Sequence, residues 1–349
     1  MNIRLIFITI IFNSSVISAQ IGGKHAYEFL NLPASARITA LGGNLIGVED
    51  EDVSLALSNP ALLNFKMHNR ISFSQNFHFS GISNGYVSYG RSFKKTGINT
   101  HFGVQYINYG DFSSADIIGT QTGSFSASEM AFVVGASKKV ADRIQIGVNL
   151  KNVFSSLESY SSYGILMDIG MNYAKDSSSF MISFVVKNLG TEITTYNGVR
   201  FGTPLDVQIG ISKKLRYLPF RFSIIGHQLQ NANIRYDDPN KKNEVDIFGE
   251  TVRENNFSNI VDNIFRHIIF NGEFMLGKKE NLRLRFGYNH LRRKELSLTS
   301  FRSLAGFSLG FGIKINAFKL DYGLGYHHVI GATNHITVST NLSKFFKKL

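Results

Sequence analysis

From about residue 70 to the end, apolar and polar residues alternate in fourteen short runs. Ile144-Gln145-Ile146-Gly147-Val148-Asn149-Leu150 is one such run, and Ile336-Thr337-Val338-Ser339-Thr340-Asn341-Leu342 is another. Successive side chains of a strand point to opposite faces, so each run carries one apolar face and one of Gly, Ser, Thr, Asn or Gln. The pattern predicts strands near 70–79, 84–93, 98–108, 130–138, 143–153, 162–174, 179–188, 204–214, 219–229, 266–276, 282–289, 303–315, 318–328 and 334–343. Several exceed the ~9–11 residues that cross a bilayer at a tilt. Connections after even-numbered strands are short, while those after strands 3, 5, 7, 9 and 11 are mostly long, the longest running from Gln230 to Phe265. Short turns at one end and long loops at the other mark an outer-membrane barrel. The expectation is an all-β, fourteen-stranded antiparallel transmembrane barrel over residues 70–349, with both termini on the periplasmic side.

The first residues follow a different pattern. Arg4, the apolar stretch Leu5 to Phe12 and the small pair Ser18-Ala19 read as a secretory signal over residues 1–19. Residues 20–69 are not strand-like. Ser35 to Leu41 ends at Gly42-Gly43 as a short helix does, and a second helical turn, Asp52 to Leu57, stops at Asn59-Pro60. A fourteen-stranded barrel encloses more space than its own side chains fill. The expectation is that 20–69 folds inside as a hatch, the alternative being a periplasmic tail. Asn59 can close a turn through its side chain, Pro60 fixes φ there, and Ala61 is small enough to pack on a wall. Arg37 with Asp50, Glu51 or Asp52 forms a buried pair, or the three acids form a solvated loop. They lack the ligand spacing of a calcium loop.

Composition narrows the classes. The chain has 349 residues, no Cys, no Trp, 30 Phe and 14 Tyr, and a formal charge of +12. Absent cysteine excludes disulfides and thiolate metal sites. Beyond residue 20 no uncharged apolar run approaches the ~20 residues of a membrane helix. The positive charge gathers at short turns (Lys94-Lys95, Lys138-Lys139, Lys213-Lys214, Lys278-Lys279), where it suits anionic headgroups or a solvated rim; no nucleic-acid motif accompanies it.

Little in the strands suggests catalysis. His327-His328 alternate to opposite faces and cannot share a metal, and no cofactor site is apparent. His78 and Ser80 share a strand face, the minimal pair for acyl transfer, but that face is the lumen side with Ser72, Ser74 and Asn76. Arg283 and Arg285 also belong to the lumen, because on the lipid face they would cost several kcal/mol. Ser308, Gly310, Gly312, Thr337, Ser339, Gln145, Asn149 and Asn289 make the expected lumen mostly polar, which weighs against a lipid conduit. In the long loop, Asp237-Asp238 open a charged turn, and Phe257, Ile260, Val261 and Ile264 have the spacing of an amphipathic helix. That helix serves either a surface partner or as a lid; loops this long are uncommon unless functional or disordered.

The N-terminal segment carries a resemblance. Gly22 to Arg37, then Ala40-Leu41-Gly42-Gly43, Asp50-Glu51-Asp52 and Asn59-Pro60-Ala61-Leu62-Leu63 resemble the PorV/PorQ family of Bacteroidetes, its PorQ branch above all. The Asn-Pro-Ala element is also similar to the hatch of FadL-type transporters. The resemblance covers residues 22–63; the remainder agrees only in length and strand number. It implies an outer-membrane component of the type IX secretion system, anchoring a PorZ-like surface protein together with PorU and PorV, near lipopolysaccharide and other outer-membrane lipids. It carries no catalytic residue. The alternative it leaves is a FadL-like transporter of hydrophobic small molecules.

Overall fold

The computed structural model describes residues 25–175, 179–235, 256–296, 304–328 and 331–345. Fourteen antiparallel strands form one closed barrel. They are β1 (Arg70–Phe77), β2 (Ser83–Phe93), β3 (Ile98–Ala115), β4 (Gln121–Ala141), β5 (Ile144–Leu157), β6 (Tyr160–Lys175) and β7 (Phe180–Thr194). The ring continues with β8 (Asp206–Lys214), β9 (Phe220–Gly226), β10 (Ile268–Leu276), β11 (Leu282–Asn289), β12 (Phe307–Ile315), β13 (Phe318–His328) and β14 (Gly331–Asn341). Each pairs with its sequence neighbours, and β1 closes on β14 from Arg70 opposite Asn341 to Phe77 opposite Asn334. Closure leaves no edge strand, so every backbone polar group at membrane depth has a partner within the ring. No described helix is long and apolar enough to cross a membrane.

The alternation decides which way each strand faces. On β5, Ile146, Val148 and Leu150 lie on the outside, exposed, while Gln145, Gly147, Asn149 and Lys151 point inward. Phe73, Ile209, Ile211, Leu284, Phe286, Leu309, Leu320 and Ile336 continue this outer apolar band around the ring. In water such a surface would be unfavourable by about 25 cal/mol per Å²; hydrocarbon removes that penalty.

Two expected loops are strand instead. β3 and β4 extend past the expected ends at 108 and 130, pairing Asp111 with Ser126 and Phe112 with Phe125. The alternation stops there because both faces of this extension are wet, yet backbone pairing continues. Phe112 stacks on Phe125 at 5.2 Å, and Asp116 closes the tip by accepting from Ile118 N (3.0 Å) and Thr120 N (2.9 Å). Strands β5 and β6 meet in a tight turn at Glu158-Ser159, where a long loop was expected. The remaining long connections are 195–205, 227–267 and 290–306. Helix α3 (Asn256–Arg266) belongs to the second and α4 (His290–Glu295) to the third; α1 (Ala36–Ala40) and α2 (Leu55–Ser58) precede the barrel.

Residues 25–69 lie within the ring. Ala26 N donates to Gly202 O (2.9 Å) in the 195–205 connection, at the long-connection end. Asn69, at the start of β1, donates to Ser343 at the short-turn end. The segment therefore runs the length of the lumen. Strand parity puts the start of β1 and the end of β14 at the short-turn end, but not the other end of the segment. His25, where the described residues begin, bridges to Gly202 at the long-connection end.

Candidate functional site

The lumen and the segment that fills it form the candidate site. α1 ends in a Schellman turn: Gly43 N donates to Ile38 O (2.9 Å) and Gly42 N to Thr39 O (3.3 Å). Gly42 and Gly43 have φ of +81° and +92°, which only glycine adopts without strain. The helix backbone touches the barrel wall where the wall has no side chain. A Cβ on Gly323 would overlap the Ala36 carbonyl, one on Gly310 would lie 2.5 Å from Ala40 Cβ, and one on Gly287 would meet the Gly42 backbone. Ala36 N donates to Thr337 Oγ1 (2.8 Å), and Thr39 Oγ1 bonds His335 Nδ1 (2.8 Å).

The Asn59-Pro60-Ala61 turn has a matching seat. Asn59 is fully buried. Its Oδ1 accepts from Ala61 N (2.9 Å), and its Nδ2 donates to Ile46 O (2.8 Å) and to Asn172 Oδ1 on the wall (2.7 Å). Gly147 leaves room for the Pro60–Ala61 backbone, and Gly170 for the Asn59 amide.

Arg37 extends from α1 into a charge lattice near the short-turn ends of β9 to β13. It pairs with Asp50 (2.7 Å), Asp52 (3.2 Å) and Glu273 (3.0 Å). Glu273 also meets Arg221 (3.1 Å), Arg285 (2.8 Å) and Arg283 (3.9 Å). Arg285 continues to Asp321 (2.7 Å), Asp321 to Lys319 (3.0 Å) and Arg283 to Asp50 (3.4 Å). Burial alone would raise the Asp50 carboxyl; Arg37 and Arg283 beside it outweigh that and hold it far below the usual carboxylate range. Glu51 turns the other way, to Arg70 and to Lys314 (2.6 Å). Sequence reasoning named Arg37, Asp52, Arg283 and Arg285 but not Glu273, Asp321, Lys319 or Arg221. The missed signal was parity: a charge within an apolar strand turns inward because the lipid face penalises it.

On the facing wall, Lys151 and Asp168 pair at 2.8 Å, both fully buried. Asn149 joins Asp168 (3.1 Å) to His101 (2.8 Å) and to Ala56 O of the segment (2.9 Å).

The lumen wall is mostly polar, as expected, but one sector of it is not. Along β3 to β7 the inner wall carries Ile107, Ala131, Val133, Val153, Leu166, Met181 and Val185, all buried. Phe29 and Leu30 pack on Ile107, Ala131, Val153 and Leu166. Ile38, Leu55 and Leu57 pack with Val133 and Met181. Ala131 and Val133 are successive inward positions of β4, about 7 Å apart along the strand. Met181 also lines a mostly polar cavity of about 460 Å³ at the short-turn end, with Ile144, Ala174, Glu49, Lys66, Lys139, Asp142 and Arg143. These apolar wall residues form two clusters with Lys151, Asp168 and Asn149 among them, and the segment covers both. Alternation could not reveal this sector. Met130-Ala131-Phe132-Val133-Val134 and Phe184-Val185-Val186 are unbroken apolar runs with lipid on one face and the segment on the other, so no alternation assigns their inner residues.

The remaining candidates are dispersed. Asp237 and Asp238 lie outside the described residues. Phe257, Ile260 and Ile264 are exposed and Val261 half-buried on α3, far from Arg37 in the fold. The His78 ring engages Asn84 (2.6 Å) and Asn76 (3.1 Å) rather than Ser80.

No family model matches this chain, and no curated protein sequence matches it. Solved structures do. The toluene transporter TodX of Pseudomonas putida superposes with a TM-score of 0.51 at 11% identity, covering 89% of this chain and 99% of TodX. The deltaS2 mutant of TodX, described as a monoaromatic hydrocarbon channel, gives 0.52 at 10% identity over 90% and 98% of the two chains. A FadL homologue of Pseudomonas aeruginosa gives 0.49 at 8% identity over 88% and 98%. These neighbours are FadL-type outer-membrane barrels, and at such identities the likeness is one of fold.

Proposed function

We propose that this protein is an outer-membrane channel for small hydrophobic molecules, with residues 25–69 as its hatch and no catalytic role. The long connections face outward and the short turns the periplasm. The observation that carries the reading is the apolar sector of the inner wall along β3 to β7, where Phe29 and Leu30 pack on Ile107, Ala131, Val153 and Leu166, and Ile38, Leu55 and Leu57 on Val133 and Met181. A channel for ions or sugars has no use for such a wall. A hydrophobic solute would take the place of segment side chains along it, so passage requires the hatch to shift. The glycine seats and the Asn59 turn hold the closed state, and the Arg37 lattice sets how firmly. The reading is tested by uptake of labelled toluene, the solute of the toluene transporter TodX, into intact cells whose lipopolysaccharide excludes it. Cells carrying the protein should take it up faster than cells without it, and Val133→Gln should reduce the gain. Equal uptake with and without the protein would refute a conduit for such solutes.

A second reading follows the PorV/PorQ resemblance: a membrane anchor for a PorZ-like surface protein of a type IX secretion system. The β3–β4 hairpin favours it, because its tip exposes Ile117 and Ile118 almost completely above the barrel. Affinity capture from native outer membranes separates the two readings. Recovery of one stoichiometric surface protein, lost on Ile117→Ser with Ile118→Ser, would support the anchor.

A further inference from the structure

Helix α3 is amphipathic in an unusual sense for a loop over a pore, because its polar side faces the protein. Asn263 donates to Ala232 O (2.8 Å) and accepts from Ile234 N (3.0 Å). Asp262 pairs with Arg266 (2.8 Å), His290 (3.1 Å) and Lys294 (3.1 Å). The opposite stripe, Phe257, Ile260 and Ile264, is 72%, 59% and 53% exposed. A lid over the lumen would turn these residues inward, where the mouth could bury them. Here they turn away from it.

The edge of this stripe runs into the lipid-facing belt. Phe265 packs against the His290 ring at 5.9 Å, and His290 Nδ1 bonds the Tyr288 hydroxyl (2.8 Å). Tyr288 packs at a tilt on Phe307, ring centroids 4.9 Å apart, and both are outward positions at the long-connection ends of β11 and β12. Tyrosine and phenylalanine at such ends form the aromatic girdle of a membrane barrel. Lys294 of α4 stands beside the helix, paired with Asp262 and on the surface. An apolar stripe with a cation on its flank is the composition of a helix lying in a bilayer interface, its apolar side ~5–10 Å into the headgroup and acyl boundary.

We propose that α3 is an interfacial anchor whose apolar stripe is covered by the acyl chains of the leaflet around the barrel, with Lys294 on the side of its anionic headgroups. This rests on the membrane reading of the barrel, and it is independent of what the lumen carries. It gives the long 227–267 connection a fixed base beside the mouth instead of a position across it.

The chain has no tryptophan, so single substitutions report one site each. Ile260→Trp probes α3, Ile209→Trp the middle of the lipid band, and Ile117→Trp the hairpin tip. Each full-length variant is reconstituted into phosphatidylcholine–phosphatidylglycerol vesicles, with and without bromine on the phosphatidylcholine acyl chains. At interfacial depth the bromines should lower Ile260→Trp emission on the order of twofold, with Ile209→Trp quenched at least as much and Ile117→Trp unchanged. If Ile260→Trp follows Ile117→Trp, the helix is in water and the proposal fails. Blue-shifted but unquenched emission would mean that protein covers the stripe, which also overturns it. An unquenched Ile209→Trp would instead refute the membrane reading itself.

Discussion

Glu273 is the carboxylate around which four arginines gather, so neutralising it is the sharpest test of the lumen lattice. Its oxygens lie 3.0 Å from Arg37, 3.1 Å from Arg221 and 2.8 Å from Arg285, with Arg283 at 3.9 Å. Arg37 and Arg285 are fully buried. The lattice joins Arg37, Arg221, Arg283, Arg285 and Lys319 to Asp50, Asp52, Glu273 and Asp321, leaving one positive charge in excess. Glu273→Gln doubles that excess in a space with little water. One unit pair at 4 Å is worth about 4 kcal/mol at an effective dielectric near 20. Relief of the carboxylate's own desolvation offsets part of the loss, and removing one partner of a buried pair costs about 3–5 kcal/mol in practice. The lower end, about 3 kcal/mol, is expected here, because Arg37 and Arg283 keep Asp50 and Arg285 keeps Asp321, and the loss falls mainly on Arg221. Adding Arg285→Gln restores the original balance, so the double variant should be more stable than Glu273→Gln alone. Urea unfolding of the reconstituted protein measures both, and amide exchange over residues 36–52 localises the loss to the segment. The reasoning is refuted if Glu273→Gln lies within about 1 kcal/mol of the parent, or if the two substitutions simply add.

Other consequences are as direct. Gly323→Val places a branched side chain where the Ala36 carbonyl sits, so α1 should undock at a cost of at least about 1–3 kcal/mol while the barrel stays folded; limited proteolysis should cut within 25–69, and Gly123→Ala, which meets nothing, should not. Ile211→Arg on the lipid face should cost about 2–4 kcal/mol of barrel stability, measured by the same urea titration. Burial would raise the Asp262 carboxyl, but hydrogen bonds from Arg266, His290 and Lys294 outweigh that and pull it down to about 2. The folded value lies below the unfolded one near 4, so this support for α3 is intact above about pH 4 and is lost as pH falls through 2. Amide exchange of α3 should therefore quicken between pH 4 and 2, and Asp262→Asn should show the fast rate at every pH.

Strand number and facing were legible because lipid and lumen impose opposite chemistry on alternate residues, as Ile146 against Gln145 makes plain. What alternation cannot report is a strand wet on both faces, and the outer halves of β3 and β4 were read as loop for that reason. Nor does it report a strand dry on both faces, and the inner residues Ala131, Val133 and Val185 went unassigned. The partners of Arg283 and Arg285 come from β10, β13 and the N-terminal segment, and which carboxylates meet them depends on ring closure, register and the placement of that segment, not on local sequence. Gly287, Gly310 and Gly323 read locally as small lumen residues; only the placement of α1 makes them a seat.

The claim at the centre of this account is that solute passes where the segment now lies. Thr39 and His335 touch across that boundary (2.8 Å), and the chain has no other thiol, so Thr39→Cys with His335→Cys ties α1 to β14 under oxidation. Toluene uptake by intact cells should fall to the level of cells lacking the protein when the pair is oxidised, and return on reduction. Uptake unchanged by a verified cross-link would contradict a moving hatch at α1.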